Sequence, residues 1–167
     1  EMTEDCLSVG GGVTWQQVID SPEVFRTAPL LVLAARQVGG PAIRHMGTVG
    51  GNLSTASPAG DGLAALWALE AEVELVSREG SRVLPLEEFV KGPGITALKE
   101  GELLKTVRVS PMSGLSPFFH KVGKRKALAI GVGSLAALWC SEGGKLRNVR
   151  LVFGSMGPRP VRALEAE

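Results

Sequence analysis

Gly47-Thr48-Val49-Gly50-Gly51-Asn52-Leu53-Ser54-Thr55-Ala56-Ser57-Pro58-Ala59-Gly60-Asp61 is the stretch on which the reading of this 167-residue chain turns. From Ile43 to Gly62 the sequence carries neither the 3.6-residue period of a helix nor the two-residue period of a strand, although helical patterns flank it. Gly47, Gly50 and Gly51 permit positive φ and let a ligand approach the main chain closely. Successive backbone N–H groups in such a loop can form an anion-binding concavity. Thr48, Asn52, Ser54, Thr55 and Ser57 add neutral hydrogen-bonding side chains. Asp61 stands at the next helix start, where its carboxylate can cap the helix or accept from a hydroxyl. The set suits the phosphates and the polyhydroxyl chain of a nucleotide cofactor. On the residues alone, a purely structural glycine loop reads equally well.

The common phosphate motifs do not fit. Gly-x-x-Gly-Gly-Asn is neither the G-x-G-x-x-G fingerprint nor a P-loop, and neither Gly123-Lys124 nor Gly144-Lys145 is followed by Ser or Thr. A Rossmann nucleotide domain is therefore disfavoured.

Working outward from the loop, Cys6 to Val9 reads as a short strand running into Gly10-Gly11-Gly12, and Val13-Thr14-Trp15 opens a helical stretch to Ile19. Ser21-Pro22-Glu23 is a helix start, and that helix carries Leu30, Leu31, Leu33 and Ala34 inward before ending near Gly39-Gly40-Pro41. After the loop, Asp61 caps a helix with Leu63, Leu66, Trp67 and Leu69 as its apolar face. Glu72–Val76 and Arg82–Leu84 form a strand–turn–strand unit. Leu86–Val90 is a short helix stopped by Gly92-Pro93-Gly94, and Leu103–Val109 is another strand. Ser110-Pro111-Met112-Ser113-Gly114 is a linker. Beyond it come strands at Phe118–Val122, Val132–Cys140 and Leu146–Phe153, the last two joined by the hairpin signal Ser141–Lys145. Val149, Leu151 and Phe153 alternate with Arg150 and Val152 as the buried face of that last strand. The fold class is α+β, dividing near 111–116 into an α+β unit and an antiparallel β unit.

Composition removes several functions. An apolar fraction of 44% supplies a core, which excludes disorder, and a net charge of +1 argues against a polyanion-binding protein. The basic run Lys121, Lys124, Arg125 and Lys126 has no interleaved stacking aromatics, so nucleic acid is a poor partner for it. A face toward a protein partner or a cofactor phosphate suits it better. Two cysteines, Cys6 and Cys140, are too few for a disulfide framework or an iron–sulfur cluster and read as buried small hydrophobes. His45 and His120 have no metal-ligand spacing. No acid pair or Ser–His–Asp arrangement is evident, so no catalytic residue and no metal ligand is assigned. There is no export signal and no apolar run near the ~20 residues of a membrane span, which points to the cytoplasm. The chain opens Glu1-Met2-Thr3 and stops at Ala163–Glu167, which reads as a helix opening without a body; both ends read as those of a segment of a longer polypeptide.

Ala42-Ile43-Arg44-His45-Met46-Gly47-Thr48-Val49-Gly50-Gly51-Asn52, continued by Thr55-Ala56-Ser57-Pro58-Ala59-Gly60-Asp61, resembles the second flavin-binding motif of the molybdenum hydroxylases. These are the FAD-carrying medium subunits or domains of xanthine dehydrogenase, aldehyde oxidase and carbon monoxide dehydrogenase type enzymes. Gly11–Trp15, Leu84–Phe89, Gly92-Pro93-Gly94, Gly101–Leu104 and Phe118–Arg125 extend the likeness over nearly the whole chain. The resemblance implies a vanillyl-alcohol-oxidase-like flavoprotein. Residues 1–111 would be the C-terminal portion, or second subdomain, of a PCMH-type FAD-binding domain. Residues 117–167 would be the N-terminal portion of the antiparallel C-terminal flavoprotein domain.

The resemblance also implies roles. Thr48, Val49, Gly50, Gly51 and Asn52 would wrap FAD with backbone donors and the Asn side chain, and Asp61 would make a polar contact. Val38 and Leu104 would touch the flavin by packing or backbone, and Lys121 by its charge; their plain alternatives are core residues and a solvated surface charge. The implied protein is an oxidoreductase subunit, with molybdopterin and [2Fe-2S] clusters confined to partner subunits. Electrons would pass from the iron–sulfur subunit through FAD to NAD, oxygen or a quinone. A stand-alone FAD-dependent oxidase of the same fold and a cofactor-free assembly module are the alternatives. The family's first FAD motif, an Ala-Gly-Gly loop holding the pyrophosphate, has no counterpart, since Gly10-Gly11-Gly12 leads straight into Val13-Thr14-Trp15. The end of the family's last domain is missing too. With half the phosphate cradle lacking, the expectation is that the chain alone is inactive and retains FAD weakly or not at all.

Overall fold

A computed structural model describes residues 6–125 and 129–167. The sequence's Lys126 lies outside the described residues, as do the first five positions.

Strand β1 (Leu7–Gly10) leads into α1 (Trp15–Asp20), which begins in a capping box: the Thr14 hydroxyl accepts from Gln17 N–H and the Gln17 side chain accepts from Thr14 N–H. The long helix expected from Ser21 is two helices, α2 (Pro22–Thr27) and α3 (Pro29–Ala35). Pro29 has no N–H to continue α2, and its fixed φ suits the first position of a new helix. Leu30, Leu31 and Ala34 are buried as expected, while Leu33 is only partly so.

The aperiodic stretch is helical rather than loop: α4 spans Pro41–Met46 and α5 spans Val49–Thr55. Helix α6 (Asp61–Ala68) follows, and all eight of its residues are buried. Strands β2 (Glu72–Ser77) and β3 (Gly80–Pro85) form the expected hairpin, followed by α7 (Leu86–Phe89). Here the chain does not simply stop at Gly92-Pro93-Gly94 but turns between β4 (Val90–Gly92) and β5 (Ile95–Thr96), with Gly94 at φ +69°. Strand β6 (Leu103–Val109) completes a four-stranded sheet in the order β1-β6-β2-β3, every pairing antiparallel. Leu7, Val9, Val73, Leu84, Val107 and Val109 supply its buried face. On the opposite face Glu74 lies 2.9 Å from Lys105 Nζ and 2.6 Å from Arg108 Nη2.

The linker residues 110–114 are irregular but anchored, because Met112 is buried and its N–H donates to Thr27 O. Strands β7 (Ser116–Gly123), β8 (Gly131–Glu142), β9 (Lys145–Gly154) and β10 (Val161–Arg162) build the second antiparallel sheet, in the order β10-β9-β8-β7. Gly143 and Gly144, both at positive φ, make the β8–β9 turn.

The buried face of β9 is the opposite of the expected one. Arg150, Val152 and Gly154 face α6, with Val152 fully buried and Arg150 Nη1 donating to Ala68 O. A Cβ on Gly154 would lie 3.2 Å from the Ala64 Cβ. Val149, Leu151 and Phe153 take the outer face and are half-buried. In register with Arg150, Val152 and Gly154, Ser134, Ala136 and Leu138 of β8 and Phe119 and Lys121 of β7 point inward. One continuous apolar core joins the helices to both sheets. Cys6 and Cys140 are half-buried rather than core, and the residues after Ala163 make a single turn instead of a helix start.

Candidate functional site

Helix α5 is built by docking rather than by propensity, since two glycines in its first turn cost roughly 1 kcal/mol each relative to alanine. Thr48 caps it, its hydroxyl accepting from Gly51 N–H at 3.0 Å. Trp15 N–H donates to Gly47 O, Val49 N–H to Val13 O and Gly50 N–H to Gly11 O, so the helix start is stitched along residues 11–15. Gly50 is obligatory there: a Cβ would stand 2.7 Å from Gly11 O and 2.9 Å from Gly11 Cα. A Cβ on Gly11 would in turn collide with Leu104 O of β6. Leu104, Gly11 and Gly50 thus form three backbones stacked in close contact.

This geometry corrects two expectations. Gly47, Gly50 and Gly51 do not adopt positive φ; their value is close approach. The amides of Val49, Gly50, Gly51 and Asn52 are all spent on protein acceptors, Asn52 N–H going to Thr48 O. Backbone donors of Val49 to Asn52 are therefore not open to a ligand, which leaves the Thr48 hydroxyl, the exposed Gly51 and the Asn52 side chain.

Asn52 opens onto a cleft of about 310 Å³ that Val38, Gly39, Gly60, Asp61 and Lys121 also line. Four expected residues, Val38, Asn52, Asp61 and Lys121, are thereby brought together. Val49 and Gly50 lie buried behind this wall, Thr48 and Gly51 at the helix start beside it, and Leu104 across Gly11, outside the cleft. Gly39, Gly60 and Ile130 are lining residues that sequence reasoning missed. In the sequence Gly39 signals only a helix end and Gly60 only a loop position, whereas Gly39, at φ +43°, and Gly60 both line the cleft.

Asp61 is the first residue of α6, with Gly60 at the cap position, and so it does not cap the helix as expected. Its carboxylate instead receives Lys121 Nζ at 2.6 Å, and both side chains are 7% exposed. Lys121 also donates to Gln37 O at 3.1 Å. The inward parity of β7 puts Lys121 there, which removes the reading of a solvated surface charge. Burial pushes the Asp61 carboxyl above its ordinary value, against the hydrogen bond and charge of Lys121 that pull it down. With its carboxylate committed to Lys121, Asp61 is a fixed acceptor rather than a free base.

Asn52 Oδ1 is buried and has no hydrogen-bond partner among the described residues. A buried orphan acceptor is rare and costly, and a ligand donor or a water completes it. At Gly60 a Cβ would come within 3.4 Å of that same oxygen, so glycine keeps the approach open. An unmet acceptor, a buried ion pair and small-residue walls fit the hydroxylated chain or ring edge of a flavin nucleotide. Among the described residues no group of three or more metal-ligating side chains occurs. No helix among them is long and apolar enough to cross a membrane.

Over residues 1–112 the sequence matches the family described as the FAD binding domain in molybdopterin dehydrogenase. It is 36% identical to the nicotinate dehydrogenase FAD-subunit of Eubacterium barkeri, covering 98% of this chain and 57% of that protein. It is 32% identical to the glyceraldehyde dehydrogenase medium chain of Sulfolobus acidocaldarius, covering 96% of this chain and 57% of the relative. In structure it resembles quinoline 2-oxidoreductase from Pseudomonas putida 86, with a TM-score of 0.95 at 28% identity over 100% of this chain and 58% of the other. It likewise resembles reconstituted CO dehydrogenase from Oligotropha carboxidovorans, with a TM-score of 0.92 at 27% identity over 99% of this chain and 58% of the other. The chain thus spans a little over half the length of these relatives.

Proposed function

The chain belongs to the family of FAD-binding domains of molybdopterin dehydrogenases, and from that premise we propose that it forms part of the flavoprotein subunit of a molybdenum hydroxylase and holds FAD in the Asn52–Asp61–Lys121 cleft. Residues 1–111 are then the FAD-binding portion, and residues 117–167 a second domain whose Lys121 closes the cleft. Bound there, FAD would supply the redox chemistry that carries electrons from a partner subunit's iron–sulfur clusters to an external acceptor.

The chain's own residues bind and orient. The Asn52 side chain supplies an acceptor that no described residue satisfies. The Asp61–Lys121 pair fixes a carboxylate and an ammonium at the cleft wall, so both are preorganised before any ligand arrives. Val38 adds a partly buried apolar wall. Thr48, Val49, Gly50 and Gly51 act through placement: the close packing on Gly11 holds Asn52 at the cleft, and Leu104 backs Gly11 from the far side. Cytoplasmic residence accords with this reading.

The single observation that carries the reading is the buried, unmatched Asn52 Oδ1 at the cleft. Flavin content of the purified full-length subunit tests it. Asn52→Leu fills the space with apolar atoms and removes the acceptor, so the subunit should lose most of its flavin absorbance while keeping its fold. Undiminished flavin in that variant contradicts the reading and favours a cofactor-free assembly role.

A further inference from the structure

Three consecutive carbonyls at the exit of α3, those of Arg36, Gln37 and Val38, are all taken by cations. Arg44 Nη1 donates to Arg36 O and to Val38 O, each at 3.4 Å, and Lys121 Nζ donates to Gln37 O at 3.1 Å. Helix α3 carries no basic residue in its own last turn, so α4 and β7 supply the positive charge that its negative end attracts. Both Arg44 contacts are long for hydrogen bonds, and the guanidinium charge rather than ideal geometry carries them.

The turn so held is a wall of the flavin cleft. Val38 and Gly39 line that cleft, whereas Arg44 lines only the hollow on the other side of the turn. Gly39, left-handed at φ +43°, packs directly on Ile43: a Cβ there would lie 2.8 Å from three Ile43 side-chain atoms. Adjacent residues of α4 therefore grip the turn from two sides, Ile43 at Gly39 and Arg44 at the carbonyls. Gly47 N–H, bonded to Ile43 O, ends α4 directly before the Thr48 cap of α5, and α5 carries Asn52. One short helix thus ties the Val38–Gly39 wall to the Asn52 wall. Keeping a guanidinium in this place is costly, since Arg44 Nε is buried and has no hydrogen-bond partner among the described residues. An apolar side chain of similar length would avoid that cost but leave two carbonyls unheld.

We propose that Arg44 is a positioning residue for the cofactor, a role that rests on the reading that this cleft holds FAD. It acts from outside the cleft, by holding residues 36–39 in the arrangement that receives the flavin. Lys121 does not substitute for it, because its ammonium is already shared between Gln37 O and Asp61. Freed of Arg44, the turn samples displaced arrangements, and the apparent affinity falls with the fraction of molecules that keep the competent one.

FAD affinity and amide hydrogen exchange of the full-length subunit test this role. Arg44→Met keeps an apolar stem and removes the guanidinium. It should weaken FAD binding by about tenfold, while the flavin-free protein still unfolds cooperatively. Exchange in the flavin-free subunit should accelerate across residues 36–44, where Val38 N–H bonds Ala35 O and Arg44 N–H bonds Gly40 O, and stay unchanged elsewhere. Arg44→Lys, which returns a cation to the carbonyls, should recover most of both. If Arg44→Met does not fold, Arg44→Gln is read in its place against the same expectations. Unchanged FAD affinity, or weaker affinity without faster exchange at the turn, overturns the role. So does protection lost evenly over the whole chain, which marks a purely structural residue. Asn52→Leu in the same assay separates the two readings. Flavin lost there but kept by Arg44→Met removes only the positioning role, whereas flavin kept by Asn52→Leu removes the cleft reading and the role with it.

Discussion

Lys121 Nζ lies 2.6 Å from Asp61 Oδ2, which ties the inward face of β7 to the first turn of α6 across 60 residues of sequence. Removing one member of so enclosed a pair leaves the other charge buried without compensation. Lys121→Met should therefore cost about 3–5 kcal/mol in urea unfolding, while Lys121→Met combined with Asp61→Leu should recover most of that loss. A single Lys121→Met variant as stable as the parent would show that the pair is solvated after all.

Glu102 supplies a pH dependence. Its carboxylate receives two hydrogen bonds from Arg82 and one from Lys99 N–H, and these hold it well down, at about 2 against an ordinary value of 4.5. The unfolded chain takes up this proton first, so the contribution to stability is complete above pH 4.5 and disappears as pH falls from there through about 2. Thermal unfolding followed across that window should show a slope that Glu102→Gln flattens.

Gly62 packs against the face of Trp15, which is only 1% exposed. A Cβ there would overlap the indole, reaching 2.6 Å from Cζ2. Gly62→Ala should destabilise by about 1–3 kcal/mol, the usual penalty of overpacking. Gly12→Ala is the control, because a Cβ on Gly12 meets nothing within 4 Å. Equal midpoints for the two variants would mean that the indole moves aside without cost.

The Thr14 capping box is separable from the cleft. Thr14→Ala removes the hydroxyl that accepts from Gln17 N–H and should lower stability by about 1 kcal/mol. Thr14→Ser, which keeps the oxygen, should retain most of it.

The strands were legible in the sequence because alternation and turn residues reported them directly, and the two hairpins fell where Gly80 and Gly143-Gly144 allow. The face of β9 was not. Arg150 looked like a solvent residue, but its long stem runs inward to bond Ala68 O and pair with Glu70. Likewise α5 was hidden because small and polar residues carry no helical period; its reasons lie in Gly11 and Val13, which no local pattern connects to Gly50 and Val49. Asn52 and Asp61 stand out by residue type, but Val38 and Lys121 enter only through resemblance, since spacings of 14, 9 and 60 residues hold no local signal that the four meet. Arg44 lay inside the most telling motif and went unread, because only the structure shows its buried Nε.

Helix α6 is pressed between β8 and β9 on one side and α3, α5 and α7 on the other, and α5 and α7 rest in turn on β6 and β2. All eight residues of this helix are buried, so neither sheet can detach without laying it bare. Calorimetry should accordingly record one endotherm rather than two, and heating should never populate a half-melted species that keeps one sheet and loses the other.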